Sequence, residues 1–299
     1  MNASEIAKAL GAKRHGQWWQ CRCPAHEDSS PSFSFRDGDR ALIVKCFSGC
    51  DKKDIFRALR NLGLTGSGPG SFVPEPKVVT QTDADKLRFR VSLARRIWNE
   101  SQPGKGTIVE AYLRSRGYDG PIPTSIRYNH LLRHPSEPGM FPGMVAAVTV
   151  AGGTDLVAIH RTFLRKDGSA KADIELQKAM LGDPLRGAVQ LAPAAQIIGL
   201  SEGIENGASF MQQRRIPVWA TTSASLLESV TLPRLVRHVI IGADRDKSSK
   251  NHPRGHGLES AEKAAQRFMA EGRTVEIVLP PDGLKGFNDV VRPRMMPQP

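Results

Sequence analysis

Two short apolar runs in the last third of the chain each stop on carboxylates, Gln196-Ile-Ile-Gly-Leu-Ser-Glu202-Gly203 and Val239-Ile-Ile-Gly-Ala-Asp244-Arg245-Asp246. Each run is bounded by Gly and polar residues and followed by a helix-like stretch, the pattern of a strand buried on both faces of a parallel sheet. From Gln196 the sequence predicts strand, a helix to Arg214, strand Ile216 to Thr221, a short helix, strand His238 to Ala243, a helix from Gly257 to Glu271, and strand Thr274 to Leu279. That alternation predicts a parallel α/β sheet. Acids at the carboxyl ends of such strands face the crevice where open α/β sheets hold ligands. Asp244 and Asp246 alternate by two, so an extended chain points both to one side. Hard oxygen ligands of this kind suit magnesium. A single acid here would read first as a helix cap. Three acids at two strand ends point instead to metal-assisted phosphate chemistry.

All four cysteines lie in the first fifty residues, at Cys21, Cys23, Cys46 and Cys50, with His26 among them. The N-terminus lacks the apolar stretch of an export signal, so metal binding accounts for the cluster better than disulfides do. Two knuckles, Cys23-x2-His26 and Cys46-x3-Cys50, supply three sulfurs and one imidazole, a closed structural zinc set. Cys21 is left over as the substitute for Cys23, although the Pro24-Ala25 turn fits Cys23 better. Between the knuckles, Ser32 to Phe35 and Ala41 to Lys45 have strand character around an Asp37-Gly38-Asp39 turn. A capped helix follows from Asp51, with Ile55, Leu59 and Leu62 on one face. The module is thus a zinc ribbon with a basic flank. Trp18, Trp19, Phe33, Phe35 and Phe47, beside Lys13, Arg14, Arg22, Arg36 and Lys45, either stack single-stranded bases or fill the small core.

Lysine and arginine number 42 against 30 acids, a formal charge of +12, and the cations are spread along the chain. A polyanionic partner is the natural reading of that balance. The Gly, Pro and Ser of residues 65–82 predict a flexible linker. It separates the zinc module (1–64) from a middle domain (83–195), which precedes the acid-tipped domain (196–299). In the middle domain a helix is expected from Asp83 to Glu100 and another from Ile108 to Arg116, ended by Gly117. A strand pair is expected over Met144 to Val150 and Leu156 to Phe163. Pro103-Gly-Lys-Gly-Thr107 lacks the glycine of a nucleotide-binding P-loop, since position 99 is Asn, so no helicase-type ATPase is expected. No segment reaches the length of a membrane span, and the cytoplasm is the expected location.

Cys23-Pro-Ala-His26-Glu-Asp-x-Ser-Pro-Ser-Phe33, followed by Lys-Cys46-Phe-Ser-Gly-Cys50, resembles the CHC2-type zinc-binding domain of bacterial-type DNA primases. Ser201-Glu202-Gly203 and Ala243-Asp244-Arg245-Asp246 resemble the two signatures of the Toprim domain that follows it in that family. Thr107 to Gly117, His160 to Leu164 and Lys178 to Gly182 resemble the middle domain of Toprim primase-like proteins of phages, plasmids and mobile elements. The resemblance implies an α/β protein: zinc ribbon, mixed α+β middle domain, Toprim-type sheet.

It also implies roles. Asp244 and Asp246 would hold a magnesium or manganese ion, with Asp289 near a second, and Glu202 would be either a metal ligand or the general base. Arg161, Arg165, Lys171 and Lys178 would contact template or nucleotide phosphates. Two departures stand out. A basic loop, residues 247–256, intervenes where the family places Gly soon after Asp-x-Asp. Glu205-Asn206 stands where relatives carry Thr or Asp, and Glu205, one helical turn from Glu202, is placed near the metal.

The expected function is a DNA primase that makes short RNA primers on single-stranded DNA from ribonucleoside triphosphates. A separate replicative helicase is the expected partner, recruited through another surface because the chain stops soon after the Toprim region. The alternatives are a nucleic-acid-binding replication factor with a non-catalytic Toprim domain, and a Toprim nuclease. A topoisomerase is disfavoured, because Tyr112, Tyr118 and Tyr128 are the only tyrosines and none lies in a recognisable cleavage domain.

Overall fold

Asn2 opens the first helix, α1 (Ala3–Leu10), through a reciprocal capping box with Glu5, and Gly11 closes it in the left-handed conformation. The computed structural model describes residues 2–16, 18–28, 31–38, 41–65, 81–153, 155–246 and 253–291. After α1 come four antiparallel strands, β1 (Lys13–His15), β2 (Trp18–Cys21), β3 (Phe33–Asp37) and β4 (Leu42–Cys46), paired in that order. Helix α2 (Lys52–Asn61) is capped by the Asp51 carboxylate on the Lys53 amide. Phe33 and Phe35 alternate onto the inner face, where they stack with ring centroids 4.9 Å apart among Ile6, Ile55 and Leu59. Trp18, Trp19 and Phe47 stay at least partly exposed, each beside a cation: Arg36, Arg14 and Lys45 respectively. Phe33 and Phe35 thus fill the small core, whereas Trp18, Trp19 and Phe47 are not among its buried residues. Asp39 of the expected turn, the linker at 66–80 and the loop at 247–252 lie outside the described residues.

Met1–Thr80 forms one unit and Gln81–Pro299 another. The second begins with α3 (Gln81–Glu100), β5 (Gln102–Pro103) and α4 (Ile108–Ser115), where the segment that fails as a P-loop supplies Thr107 as the N-cap. Next come β6 (Ile126–Arg133), β7 (Met140–Val150), β8 (Leu156–Phe163), β9 (Lys178–Gly182) and β10 (Gly187–Gln190). The remaining elements are β11 (Ile197–Ser201), α5 (Ile204–Arg214), β12 (Val218–Ala220), α6 (Ala224–Ser229), β13 (His238–Gly242), α7 (His256–Ala270), β14 (Thr274–Val278) and α8 (Phe287–Val291).

One sheet runs through all of this. β11, β12, β13 and β14 pair in parallel in the spatial order β14-β13-β11-β12, and β10 joins β12 antiparallel. Strand β7 makes the junction by using one edge twice: β6 occupies it from Met140 to Ala146, and β10 takes it over at Thr149 and Val150. Its other edge carries β8 and then β9. Helices α4, α5 and α8 bury Tyr112, Phe210 and Phe287 against one face. On the opposite face α6 and α7 bury Leu227 and Phe268, and α3 buries Ala94 over β7 and β8. Gly199 and Gly242 give the Phe210 ring its seat, since a Cβ at Gly199 would lie 2.7 Å from a Val218 methyl and 3.1 Å from that ring.

Candidate functional site

Strand order reverses at β11. Its chain leaves through α5 to β12 on one side, while β13 lies on the other, so the carboxyl ends of β11 and β13 frame the crevice where an open α/β sheet binds ligands. Glu202 follows β11 directly, and Asp244 and Asp246 follow β13. The three acids load one another with negative charge. Burial first, then Glu202 and Asp246, push the Asp244 carboxyl up to about 6. Burial and Asp246 likewise raise Glu202, against the pull of His256, Lys178 and Lys285. Asp246 accepts the Gly257 amide at the start of α7 (3.0 Å) and meets the Lys285 ammonium at 3.4 Å. Only glycine fits at 257, because a Cβ there would lie 2.9 Å from the Asp244 carbonyl and 3.2 Å from the Asp246 carboxylate.

Asn206 explains one departure from the expected pattern. Its amide nitrogen donates to Asp244 (2.7 Å) while its amide oxygen accepts the Asn288 N–H (3.1 Å), tying α5, the end of β13 and α8 together. An aspartate at 206 has no proton to give Asp244 at neutral pH. Asp289 turns onto its own loop and accepts the amides of Lys285 and Gly286 at 3.2 and 3.1 Å. Glu205, expected near the metal, goes elsewhere. Its buried carboxylate accepts the Tyr112 hydroxyl (2.7 Å) and pairs with Lys171 (3.4 Å) and Lys178 (3.3 Å). Burial opposes ionisation, but the two ammonium groups hold Glu205 well below the usual carboxylate range.

The four basic residues singled out in the middle domain are therefore not equivalent. Lys171 and Lys178 meet at Glu205, and the charge of Lys178 also reaches Glu202. Arg165 makes a two-pronged pair with Asp173 (3.0 and 2.7 Å). Arg161 is 7% exposed, donates to the Arg133 carbonyl and lies against the Phe163 ring.

The second site is in the N-terminal unit. The ligand atoms of Cys23, His26, Cys46 and Cys50 all lie within 4.8 Å of one another, the one group of three or more Cys, His, Asp or Glu side chains gathered that tightly among the described residues. His26 faces the sulfurs through Nδ1, at 3.1 Å from Cys50 and 4.0 Å from Cys46. Burial pushes the Cys23 thiol up to about 12. At Cys46 burial is outweighed by backbone hydrogen bonds at Cys50 and Ser48 and by the Ser32 hydroxyl, which bring the thiol down to about 6. Three sulfurs and one nitrogen at this spacing fit tetrahedral zinc, whose binding would displace the thiol protons. Cys21 stands outside the group, buried in the module's core, and burial raises it to about 11. Sequence reasoning missed Asp28, whose carboxylate accepts the Cys23 amide (2.8 Å) and the Ser32 hydroxyl (2.5 Å) and faces His26 Nε2 at 3.7 Å.

Residues 197–295 match the Toprim domain family. The chain carries a Toprim domain. Residues 88–191, immediately before it, match a domain of unknown function (DUF7146). No relative is found among curated proteins. Among solved structures the chain is similar to the zinc-binding and RNA polymerase domains of the Aquifex aeolicus primase, with 16% identity, 97% of this chain and 79% of that one covered, and a TM-score of 0.42. It is also similar to a DnaG primase catalytic domain bound to single-stranded DNA (15% identity, 72% and 79% covered, TM-score 0.45). A third is the primase fragment of the bacteriophage T7 primase-helicase protein (13% identity, 90% and 93% covered, TM-score 0.37). No described helix is long and apolar enough to cross a membrane.

Proposed function

We propose that the chain is a DNA primase that joins ribonucleotides on a single-stranded DNA template in replication of a phage, plasmid or mobile element. One observation carries the reading: the mutually charged acids Glu202 and Asp244 at the strand-order reversal of a Toprim domain, with Lys178 and Lys285 beside them. Their oxygen donors fit divalent cations, and the raised carboxyls mark a place where Lys178 and Lys285 do not offset burial and mutual repulsion. Glu202, Asp244 and Asp246 would hold magnesium or manganese, with Asp289 as a further acid for a second ion. Bound there, the metal supplies stabilisation of the charge on the attacking and leaving oxygens.

The chain's own residues do the rest. Asn206 fixes the orientation of Asp244. Lys171 and Lys178 contact the phosphates of the incoming nucleotide, while Arg161 is left to packing and Arg165 to its pair with Asp173. Glu202, if not a ligand, accepts the proton of the 3′-hydroxyl, a role its raised pKa suits. In the N-terminal unit the zinc set holds the ribbon together, and Trp18, Trp19 and Phe47 with their adjacent cations offer stacking surfaces to template bases. Unwinding falls to a separate helicase.

The same acids serve phosphodiester hydrolysis, so the test must see both directions. End-labelled single-stranded DNA and labelled ribonucleotides are incubated with the protein and magnesium or manganese. New oligoribonucleotides with intact DNA support the primase. Shortened DNA without them supports the nuclease, and neither product favours the binding factor.

A further inference from the structure

The buried carboxylate of Glu205 lies in the first turn of α5, three residues after Glu202, yet it serves a different set of partners. Those partners come from three places: Tyr112 from α4, Lys171 from the segment bridged to Leu164, and Lys178 from β9. Two ammonium groups share one carboxylate, so the cluster keeps an excess positive charge. Exposure says where that charge is available. The Lys171 side chain is 18% exposed and that of Lys178 is 37% exposed. The open end of the cluster is therefore Lys178, the lysine whose charge already reaches Glu202.

Among the described residues the other anion that the charge of Lys178 reaches is Glu202, which lies on the metal side. The β8–β9 register sets Lys178 opposite Thr162 and two residues along from His160, on one face of the sheet. His160 is buried, and burial with the adjacent Lys178 keeps it neutral down to a pH of about 4. His160 Nδ1 and Thr162 Oγ1 are buried without hydrogen-bond partners, so neither steadies an ammonium group. Arg116, the other charge acting on Lys171, is a cation. Burial already favours loss of the Lys171 proton, and Glu205 is the group that opposes this. Without the carboxylate, two like charges would face each other in a half-buried place, and one lysine would shed its proton or swing out.

We infer that Glu205 is a positioning residue that fixes the ammonium groups of Lys171 and Lys178 beside the acid-tipped strand ends, so that the phosphates of a nucleoside triphosphate meet a preset pair. The inference rests on the nucleotidyl-transfer reading. Glu205 touches no reacting atom and acts through the lysines. It also gives the start of α5 a joint purpose: Glu202, just ahead of the helix, and Asn206 serve the metal side, while Glu205 in the first turn serves the phosphate side.

The test compares the full-length wild type with Glu205→Gln, which keeps the shape but removes the charge, and with Tyr112→Phe, which removes one hydrogen bond and leaves all three charges. MgATP binding, the KM and kcat of nucleotide joining, the unfolding temperature, and the acetylation rate of each lysine by mass spectrometry are measured. Glu205→Gln is expected to weaken MgATP binding and raise KM by about tenfold, the scale of one charge-assisted contact, with kcat changed by less than about threefold. Lys171 and Lys178 acetylate faster in this variant while Lys285 and Lys263 do not. Tyr112→Phe lowers the unfolding temperature without moving binding. If Glu205→Gln does not fold, Glu205→Asp, which keeps the charge but retracts it, is expected to raise KM by a smaller factor. Wild-type binding in Glu205→Gln, or a loss in both variants that tracks their unfolding temperatures, overturns the inference. If the wild type itself binds no MgATP, the nucleotidyl-transfer reading fails. The acetylation rates still decide whether Glu205 fixes the lysines, and unchanged rates refute it.

Discussion

Replacing Asp244 by Asn should make the metal-free protein more stable while destroying its activity. The folded carboxyl is raised from 3.8 to about 6, with burial as the first cause and Glu202 and Asp246 next. A raised acid destabilises the fold wherever it is ionised. The penalty is absent below the unfolded pKa, grows as pH rises from about 4 to 6, and is complete at neutral pH. The shift of roughly two units corresponds to about 3 kcal/mol at about 1.36 kcal/mol per unit. Asp244→Asn would relieve about 1–3 kcal/mol of this, because the carbonyl oxygen of the new amide can still accept the Asn206 amide, now at 2.7 Å from the carboxylate. For a unit of this size that is an increase of roughly 2–10 °C in the unfolding temperature. The assay is calorimetric melting at pH 7.5 in EDTA and again in excess magnesium. In EDTA the variant should melt above the wild type, and magnesium should close the gap by stabilising the wild type more. A variant that melts at or below the wild type in EDTA would refute the reasoning, since the acids would then not be loading one another.

Three further outcomes follow from other parts of the molecule. The folded pKa of Glu205 lies below its unfolded value of about 4.3, so its stabilising effect is complete above that pH and is lost as acid protonates the folded carboxylate. Glu205→Gln should therefore cost about 3 kcal/mol at pH 7, and the gap to wild type should narrow in melts run below about pH 4. Cys23→Ser should lose the one equivalent of zinc measured by atomic absorption and unfold the N-terminal unit, whereas Cys21→Ser should retain the metal, because Cys21 stands outside the ligand group. Gly199→Ala should lower the unfolding free energy by about 1–3 kcal/mol, read as a lower urea midpoint with unchanged slope, since the added methyl falls 2.7 Å from Val218 and 3.1 Å from Phe210.

What could be read in the sequence was what is written locally. The runs at Ile197 and Val239 are apolar, bounded by glycine and tipped with acid, so β11, β13 and the helices after them follow from short-range pattern. The capping box of Asn2 and Glu5 was equally local and went unread. The strands β6, β9 and β10 were not legible in the same way. Ile126–Arg133 is broken by polar residues and by a register shift between Asn129 and Leu132, and Lys178–Gly182 and Gly187–Gln190 lack the β-branched runs of β11 and β13. Strands β6 and β10 depend on β7 offering one edge to two partners, a non-local choice that also fuses the middle domain to the Toprim sheet, and β9 depends on the edge of β8.

The sites divide similarly. The Cys-His knuckles have a spacing signature, but Asn206 acquires its meaning only when Asp244, 38 residues later, comes within hydrogen-bond reach. Glu205 comes three residues after Glu202, but Glu202 lies in the turn before α5 and Glu205 inside its first turn, and the two carboxylates meet different partners. The family resemblance implies Lys171 and Lys178 as phosphate contacts, together with Arg161 and Arg165. The anion shared by the two lysines lay too far along the chain for any spacing rule to name.

The central claim is that the acid-tipped strands of the Toprim domain join nucleotides. Single-stranded DNA, all four ribonucleoside triphosphates with one labelled, and magnesium or manganese are incubated with wild type and with Asp244→Ala, and the products are resolved on a denaturing gel. Template-dependent oligoribonucleotides from the wild type and none from Asp244→Ala are the predicted result. No labelled product from the wild type with either metal, or equal product from the variant, would contradict it.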